Sequence, residues 1–159
     1  MRALVQRVNH ASVTNVDEQF LAADPEAASS CNSIGKGFVI LLGVGQDDDK
    51  QKADKLWSKI SKLRIFEDES GKTNLSLKDV DGEILLVSQF TLYANCKKGN
   101  RPSFTQAAAP DVANDLYEYF ASLIALDGVP LQTGWFGATM KVDLENDGPF
   151  TVWLDTDTL

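Results

Sequence analysis

The stretch that most limits how this chain can fold is Glu83-Ile84-Leu85-Leu86-Val87, a run of β-formers that ends at Ser88-Gln89-Phe90-Thr91-Leu92. The first five residues read as a buried strand. Burial then gives way to a hydroxyl, an amide, an aromatic ring and a second hydroxyl. Strand alternation predicts Ser88 and Phe90 on one face, Gln89 and Thr91 on the other. Beyond Leu92 the chain loosens into Tyr93-Ala94-Asn95-Cys96-Lys97-Lys98-Gly99-Asn100-Arg101-Pro102, a loop with three cations. Polar groups at a strand end beside a basic loop are where α/β proteins hold ligands. Local composition alone favours a plainer reading, a strand running out into solvent.

With 159 residues the chain is read as one domain, residues 1–159, large enough to bury a core without staples. The start MRALVQRVNHASV alternates apolar and polar residues, so it is not read as a signal peptide. No apolar run is long enough to cross a bilayer, and no membrane partner is expected. Cys31 and Cys96 fit no metal or redox spacing and read as reduced thiols of a cytoplasmic protein. The formal charge of −8 argues against indiscriminate nucleic-acid binding, and no DNA partner is expected. RNA contact confined to a single-stranded end remains compatible with it. Lys97, Lys98 and Arg101 are the candidates for such a patch, and they describe a solvated turn equally well.

Residues 1–8 read as a half-buried strand, Asn9-His10-Ala11 as a turn, and residues 11–16 as a second, shorter strand. His10 is the only histidine and has no acidic or cysteine cluster nearby, so no metal site is expected. Residues 17–33 show little periodicity and read as an extended surface loop. Residues 38–44 read as a buried strand. Gly43 and Gly45 resemble a fragment of a phosphate loop, but no Gly-Lys-Ser/Thr follows. Asp47-Asp48-Asp49 supplies a helix N-cap and first turn, and Ala53, Leu56, Trp57, Ile60 and Leu63 form the apolar face of that helix. Residues 66–77 read as a hairpin or irregular excursion, and Asp81-Gly82 as a tight turn. Pro110 and Asp111 open a second amphipathic helix with Val112, Leu116, Phe120, Leu123 and Ile124 buried and Gly128 as its stop. Residues 131–135, 138–144 and 150–154 read as closing strands. The order predicts a mixed α/β fold with two helices packed on the sheet.

Between the last two strands lies Asn146-Asp147-Gly148-Pro149-Phe150-Thr151, whose Gly-Pro is by local chemistry a turn, with most X-Pro bonds trans. Taken with Ser88-Gln89-Phe90-Thr91-Leu92, in this order and separation, it resembles the paired motifs of the D-aminoacyl-tRNA deacylases (D-tyrosyl-tRNA deacylases). Met1-Arg2-Ala3-Leu4-Val5-Gln6-Arg7-Val8, Gly99-Asn100-Arg101-Pro102-Ser103-Phe104 and Phe136-Gly137-Ala138 are similar to that family too. One departure is residues 17–33, where the family has a much shorter connection. The resemblance implies two stacked sheets with the helices on one side, a three-layer deacylase-like fold. It also implies a homodimer with active sites at the subunit interface, acting in chiral proofreading, a form of translation quality control.

The chemical inventory stands beside that resemblance. A Ser-His-Asp arrangement is hard to build around one distant histidine. The carboxylates sit in runs such as 47–49 and 67–69 that read as solvated surface. Hydroxyls, amides and backbone donors, without a strong base or a cofactor, suit an intrinsically reactive ester better than a peptide bond. An aminoacyl ester on tRNA is such a substrate, with a vicinal ribose hydroxyl to assist. The roles the resemblance implies are an oxyanion site at the Phe90 and Thr91 N–H groups, with Ser88 and Gln89 positioning the terminal adenosine or the carbonyl. Thr91 matches a proposed family nucleophile; without a neighbouring base, orienting water or substrate is the preferred role. Gly148-Pro149, as a cis peptide entering the partner's pocket, would exclude L side chains, together with Asn146 and with Arg7 bracing the loop. Arg7 also reads as an exposed strand cation. Glycyl-tRNA should then be accepted. The alternatives are a non-catalytic RNA-binding or dimerisation module of the same fold and, less well supported by the inventory, a general small-ester hydrolase.

Overall fold

The computed structural model describes residues 1–23 and 31–159. Strand β1 (Arg2–Asn15) is followed by a short helix α1 (Glu18–Ala23), β2 (Cys31–Ile34), β3 (Gly37–Gly43), helix α2 (Lys50–Ile60) and the pair β4 (Arg64–Glu67) and β5 (Thr73–Ser76). Then come β6 (Glu83–Ser88), helix α3 (Pro110–Leu126), β7 (Leu131–Thr133) and β8 (Met140–Asp155). Single 3₁₀ turns, Lys78–Val80 and Phe90–Tyr93, flank β6. The fold is mixed α/β, with a six-stranded sheet and a separate two-stranded one.

β1 is the spine of the larger sheet. β8 pairs antiparallel along one of its edges. On the other edge β3 takes the first half, from Arg2 opposite Gly43 to Val8 opposite Gly37, and β2 takes the second. β6 joins β3 in parallel, and β7 joins β6 in parallel. Alternation along β3 and β6 divides the core in two. Phe38, Ile40, Leu42, Ile84 and Leu86 meet α2 and α3, whereas Val39, Leu85 and Val87 point the other way, onto Val8, Ala11, Val13 and Ile34. The far half of β1, with β2, is therefore folded across the back of β3 and β6. The layers run helices, sheet, folded-over sheet, so the stack of two sheets is one hydrogen-bonded sheet doubled over.

Both long helices follow from their sequences. Asp49 caps α2 by accepting from Lys52 N–H at 2.9 Å, and Ala53, Leu56, Trp57 and Ile60 are buried. Pro110 opens α3, and Gly128 at φ +72° ends it. Trp57 meets Phe120 edge to face, 6.1 Å between ring centres, so this tryptophan belongs to the core. No helix among the described residues is long and apolar enough to cross a membrane.

Four local expectations change. Asn9-His10 is no turn: β1 runs through it, with register shifts against β8 on either side of Val8 that absorb the irregularity, and His10 lies opposite Glu145. Within the 17–33 stretch, Asp17 caps α1, accepting from the Gln19 N–H at 3.1 Å, and residues 31–34 form β2; residues 24–30 lie outside the described residues. On α3 the buried face runs through Leu116, Tyr117, Phe120, Ala121 and Ile124, with Ala113 partly buried below it. Val112 is one residue out of phase with that face and is exposed, and Leu123 is only partly covered. Finally, Asn146-Asp147-Gly148-Pro149-Phe150-Thr151 does not join two strands but lies within β8, whose flanks both pair with β1.

Candidate active site

The end of β6 is reshaped by what lies behind it. Gln89 N–H makes a last ladder bond to the Leu42 carbonyl, 2.7 Å. The chain then leaves the extended conformation at Gln89 (φ −144°, ψ 81°) and enters the 3₁₀ turn Phe90–Tyr93. The predicted alternation therefore stops at Ser88, and Phe90 and Thr91 both stand exposed, Phe90 at 55%. Two glycines let the turn fold flat against the end of β3. A Cβ at Gly43 would lie 3.1 Å from the Gln89 carbonyl oxygen and from Leu92 Cβ, and one at Gly45 2.6 Å from the Tyr93 hydroxyl. This pair of glycines is a seat for an aromatic ring.

The ring is clamped from three sides. Tyr93 O–H donates to Asp48 Oδ2 at 2.9 Å. Asp48 also accepts from Gly45 N–H at 2.6 Å and pairs with the N-terminal ammonium at 2.5 Å. Arg2 stacks 4.2 Å from the Tyr93 ring centre, pairs with Asp155 at 2.9 Å and donates to the Leu92 carbonyl at 3.0 Å. The Asp48 side chain is 2% exposed, so the acidic run 47–49 is not uniformly solvated surface. Burial alone would raise the Asp48 carboxyl. Its bonds with the ammonium and the Gly45 N–H, the ammonium charge and the Tyr93 hydroxyl outweigh that and hold it below the ordinary Asp value. Burial, then the Asp48 carboxylate, pushes the Tyr93 phenol up, so it stays a neutral donor.

In front of this clamp is a pocket of about 400 Å³. Ser88, Gln89 and Phe90 line it from β6 and the turn, and Phe136-Gly137-Ala138 lines it from the loop after β7. Met140 and Val142 of β8 complete a mostly apolar wall. Phe90 also packs edge to face on Phe104, 5.1 Å between ring centres, which draws in the Gly99–Phe104 run. Paired bonds between Asn95 and Ser103 (2.7 and 3.0 Å) pinch off the loop carrying Lys97, Lys98 and Arg101, all exposed. Gln89 Nε2 donates to Thr91 Oγ1. Among the described residues the Phe90 and Thr91 N–H groups have no hydrogen-bond partner, as befits the start of a helical turn. Within the same set, no His, Asp or Glu hydrogen-bonds the Ser88 or Thr91 hydroxyl.

The other motif lies elsewhere. Against β1, Thr151 pairs with Gln6 and Asn146 with Val8, so the single residue Arg7 faces the four residues 147–150, which bulge outward. The Gly148-Pro149 peptide in that bulge is cis, and both residues are exposed. Arg7 is no exposed cation: it is 4% exposed, with Nε 3.0 Å from the Asp147 carbonyl oxygen and from its carboxylate, and Nη1 2.5 Å from the Ile65 carbonyl. Its guanidinium sits 5.0 Å from the Phe150 ring centre. Asn146 closes the bulge's base, accepting from Phe150 N–H at 2.6 Å and donating to Thr151 Oγ1 at 2.9 Å.

The strand register gives the separation of the two motifs. Gly148 lies opposite Arg7 and Ser88 is level with Ala3, four residues along β1, with β1 and β3 between their strands. At ~4.8 Å per strand and ~3.3 Å per residue, the two motifs are about 20 Å apart on one chain. The fold thus brings Ser88, Gln89, Phe90, Thr91 and Phe136-Gly137-Ala138 together, and separately Arg7, Asn146, Gly148 and Pro149. The clamp of Arg2, Asp48 and Tyr93 is invisible to motif reading because its members are up to 153 residues from their partners; only the Gly43-x-Gly45 spacing could have pointed to it.

Comparison with known proteins adds three findings. The sequence profile of the family described as D-Tyr-tRNA(Tyr) deacylase matches residues 4–155. A D-aminoacyl-tRNA deacylase of Lactobacillus acidophilus is 54% identical over 98% of this chain and 99% of its own, and one of Thermotoga petrophila is 49% identical over 100% and 99%. Among solved structures, the c-Myc DNA unwinding element binding protein superposes with a TM-score of 0.85 at 38% identity, covering 98% of both chains. A probable eukaryotic D-amino acid tRNA deacylase has a TM-score of 0.77 at 19% identity, covering 96% of this chain and 97% of its own, a likeness of fold.

Proposed function

This chain belongs to the D-Tyr-tRNA(Tyr) deacylase family and is a hydrolase, and we propose that its pocket cleaves the ester joining a D-amino acid to the terminal ribose of tRNA in the cytosol. The observation that carries the reading is the end of β6, where Phe90 lines a mostly apolar pocket whose lining holds no His, Asp or Glu, and where the N–H groups of Phe90 and of Thr91 beside it have no partner among the described residues. Water adds to the ester carbonyl carbon, and the Phe90 and Thr91 N–H groups receive the oxyanion. The C–O bond to the ribose then breaks, and the proton lost by water ends on the ribose oxygen, with the vicinal hydroxyl assisting. Thr91 Oγ1 already accepts from Gln89, so its own proton is free to orient the carbonyl or the water, a better fit than covalent attack. Ser88 and Gln89 position the adenosine, and Lys97, Lys98 and Arg101 meet the adjoining phosphates.

Selection needs a second chain. Gly148-Pro149 is too far from Ser88 to serve the pocket of its own subunit, and it projects from the surface on a base braced by Arg7 and Asn146. In a homodimer it enters the pocket of the other copy, its backbone facing the substrate's α-carbon. An L side chain collides with it and a D side chain points away, which is selection by exclusion. Glycine has no side chain to exclude, so glycyl-tRNA is hydrolysed too. A second reading, nucleic-acid binding without turnover, draws on the likeness to the c-Myc DNA unwinding element binding protein.

One assay separates them: hydrolysis of D-tyrosyl-, L-tyrosyl- and glycyl-tRNA by the purified protein and by Pro149→Ala. Turnover of the D and glycyl esters alone, with selectivity eroded in the variant, is the expected result. Tight tRNA binding with no turnover of any ester would replace this reading with the second.

A further inference from the structure

The sharpest charge segregation in the chain lies outside the pocket. Residues 50–64 hold six of the 15 Lys and Arg but only one, Asp54, of the 23 carboxylates. Lys52, Lys55, Lys59 and Lys62 follow one another at intervals of three, four and three, the spacing that places side chains in one row on a helix; the first three lie on α2 and Lys62 on the turn that follows its last residue. Burial of Ala53, Leu56, Trp57 and Ile60 fixes the rotation of α2 and turns that row outward. The row runs for about 15 Å. Its two ends differ. Lys52 is held by Asp48 at 3.2 Å and Asp157 at 3.0 Å, and Lys55 by the carbonyls of Thr156 and Leu159 at 3.1 and 2.6 Å. At the other end, Lys59, Lys62 and Arg64 have no ion-pair partner among the described residues, although Lys62 donates to the Ser58 hydroxyl at 3.1 Å and Arg64 to the Asn74 carbonyl at 2.6 Å and to its side-chain oxygen.

Beside that end is an open groove of about 470 Å³, lined by Lys55, Ser58, Lys59, Lys62, Leu63 and Arg64. Four cations, a hydroxyl and one apolar side chain line it, without a carboxylate. Nothing in the packing of α2 calls for these charges, and like charges one turn apart cost a helix ~0.2–0.5 kcal/mol each. A linear polyanion is the ligand whose charge spacing matches a linear row of cations.

Its place in the fold says which subunit's substrate it meets. The groove ends at Arg64, and the carbonyl of the next residue, Ile65, accepts from the Arg7 guanidinium that holds the Gly148-Pro149 bulge. We propose that this groove binds the phosphate backbone of the RNA substrate whose acceptor end lies in the other subunit's pocket, on the subunit that supplies Gly148-Pro149. The inference rests on the shared-site deacylase reading above. It gives each tRNA two cationic contacts, the Lys97–Arg101 loop at the pocket and this groove across the interface.

The test is the charge reversal Lys59→Glu/Lys62→Glu in the full-length protein, neither residue belonging to the pocket. KM and kcat are measured on D-tyrosyl-tRNA and on D-tyrosyl-adenosine, which lacks the phosphate backbone. The expected result is a rise in KM of about tenfold or more on the tRNA alone, with kcat and the adenosine ester unchanged and a salt dependence shallower by roughly one log unit per lost contact. Lys59→Arg/Lys62→Arg should behave as wild type. An unchanged KM and salt slope on tRNA, or an equal loss on both esters, overturns the proposal. Should wild type hydrolyse neither ester, the deacylase reading fails by itself. Retention of uncharged tRNA then decides the groove: lost in the variant it supports the assignment, unchanged it overturns it.

Discussion

Gly45→Ala should damage this protein out of proportion to one methyl group. The new Cβ would sit 2.6 Å from the Tyr93 hydroxyl and 2.7 Å from two ring carbons. The ring cannot easily retreat, because Arg2 stacks on it at 4.2 Å and Asp48 holds its hydroxyl at 2.9 Å. Either the overlap persists, at about 1–3 kcal/mol, or the ring moves and gives up a hydrogen bond to a charged group, at about 1.5–3 kcal/mol. The ring settles on the cheaper compromise, so the net loss is about 2 kcal/mol. With a urea m-value of about 2 kcal/mol/M, the midpoint falls by roughly 1 M. Gly35→Ala is the control, since its Cβ would meet only Glu83 Oε2 at 3.9 Å, and it should stay within about 0.5 kcal/mol of wild type. Tyr93 closes the turn that carries Phe90 and Thr91, and a displacement of ~1 Å there lowers kcat up to a hundredfold. In a Tyr93→Ala background the glycine substitution should cost little more. A Gly45→Ala protein with wild-type urea midpoint and full turnover would refute the clamp as the element that positions the turn.

Three further expectations follow from the same geometry. Arg7→Met leaves the Ile65 carbonyl unpaired in the interior and releases the half-exposed Asp147, and should cost about 2 kcal/mol in urea unfolding while lowering D-over-L selectivity more than kcat. Asp48 has a depressed carboxyl pKa in the folded state, so its stabilisation is complete above the unfolded value of about 4 and is lost as pH falls below it. Asp48→Asn should therefore be less stable than wild type by about 3 kcal/mol at neutral pH, with the gap closing in acid when both are followed by thermal unfolding. Gly128 ends α3 at φ +72° with open space around it, so Gly128→Ala should cost about 1 kcal/mol through backbone conformation alone, read as a small drop in Tm.

How much of this was legible in the sequence depends on how local the cause is. α2 and α3 each bury one periodic face, and periodicity found them; β3 and β6 are buried on both faces, and their unbroken apolar runs gave them away. The continuity of β8 was not legible, because Gly148-Pro149 has the chemistry of a turn and only the register of β1 shows that both flanks share one partner. Asn9-His10 misled for a related reason: the irregularity it signals is one extra residue, Asn9, within β1, and the strand pairs with β8 on either side of it. Asp48 was hidden in an acidic run whose third member, Asp49, does the predicted capping. Arg2 and Tyr93 carried no signal at all. Ser88-Gln89-Phe90-Thr91 stood out as a motif by family likeness, whereas its conversion into a 3₁₀ turn depends on two glycines and an arginine far away in the chain.

The 20 Å between Ser88 and Gly148 has a genetic reading. If one working site draws its pocket from one chain and its selector from the other, lesions in the two motifs behave as separate complementation groups within a single gene. Thr91→Ala and a deletion of Gly148-Pro149 on the same chain would leave no intact, selective site in any dimer. Placed on different chains and mixed, they would regenerate one intact site in every mixed dimer, roughly a quarter of the wild-type number. The mixed dimer would then hydrolyse the D ester selectively, whereas the Thr91→Ala dimer would turn over little of either ester and the deletion dimer would not discriminate.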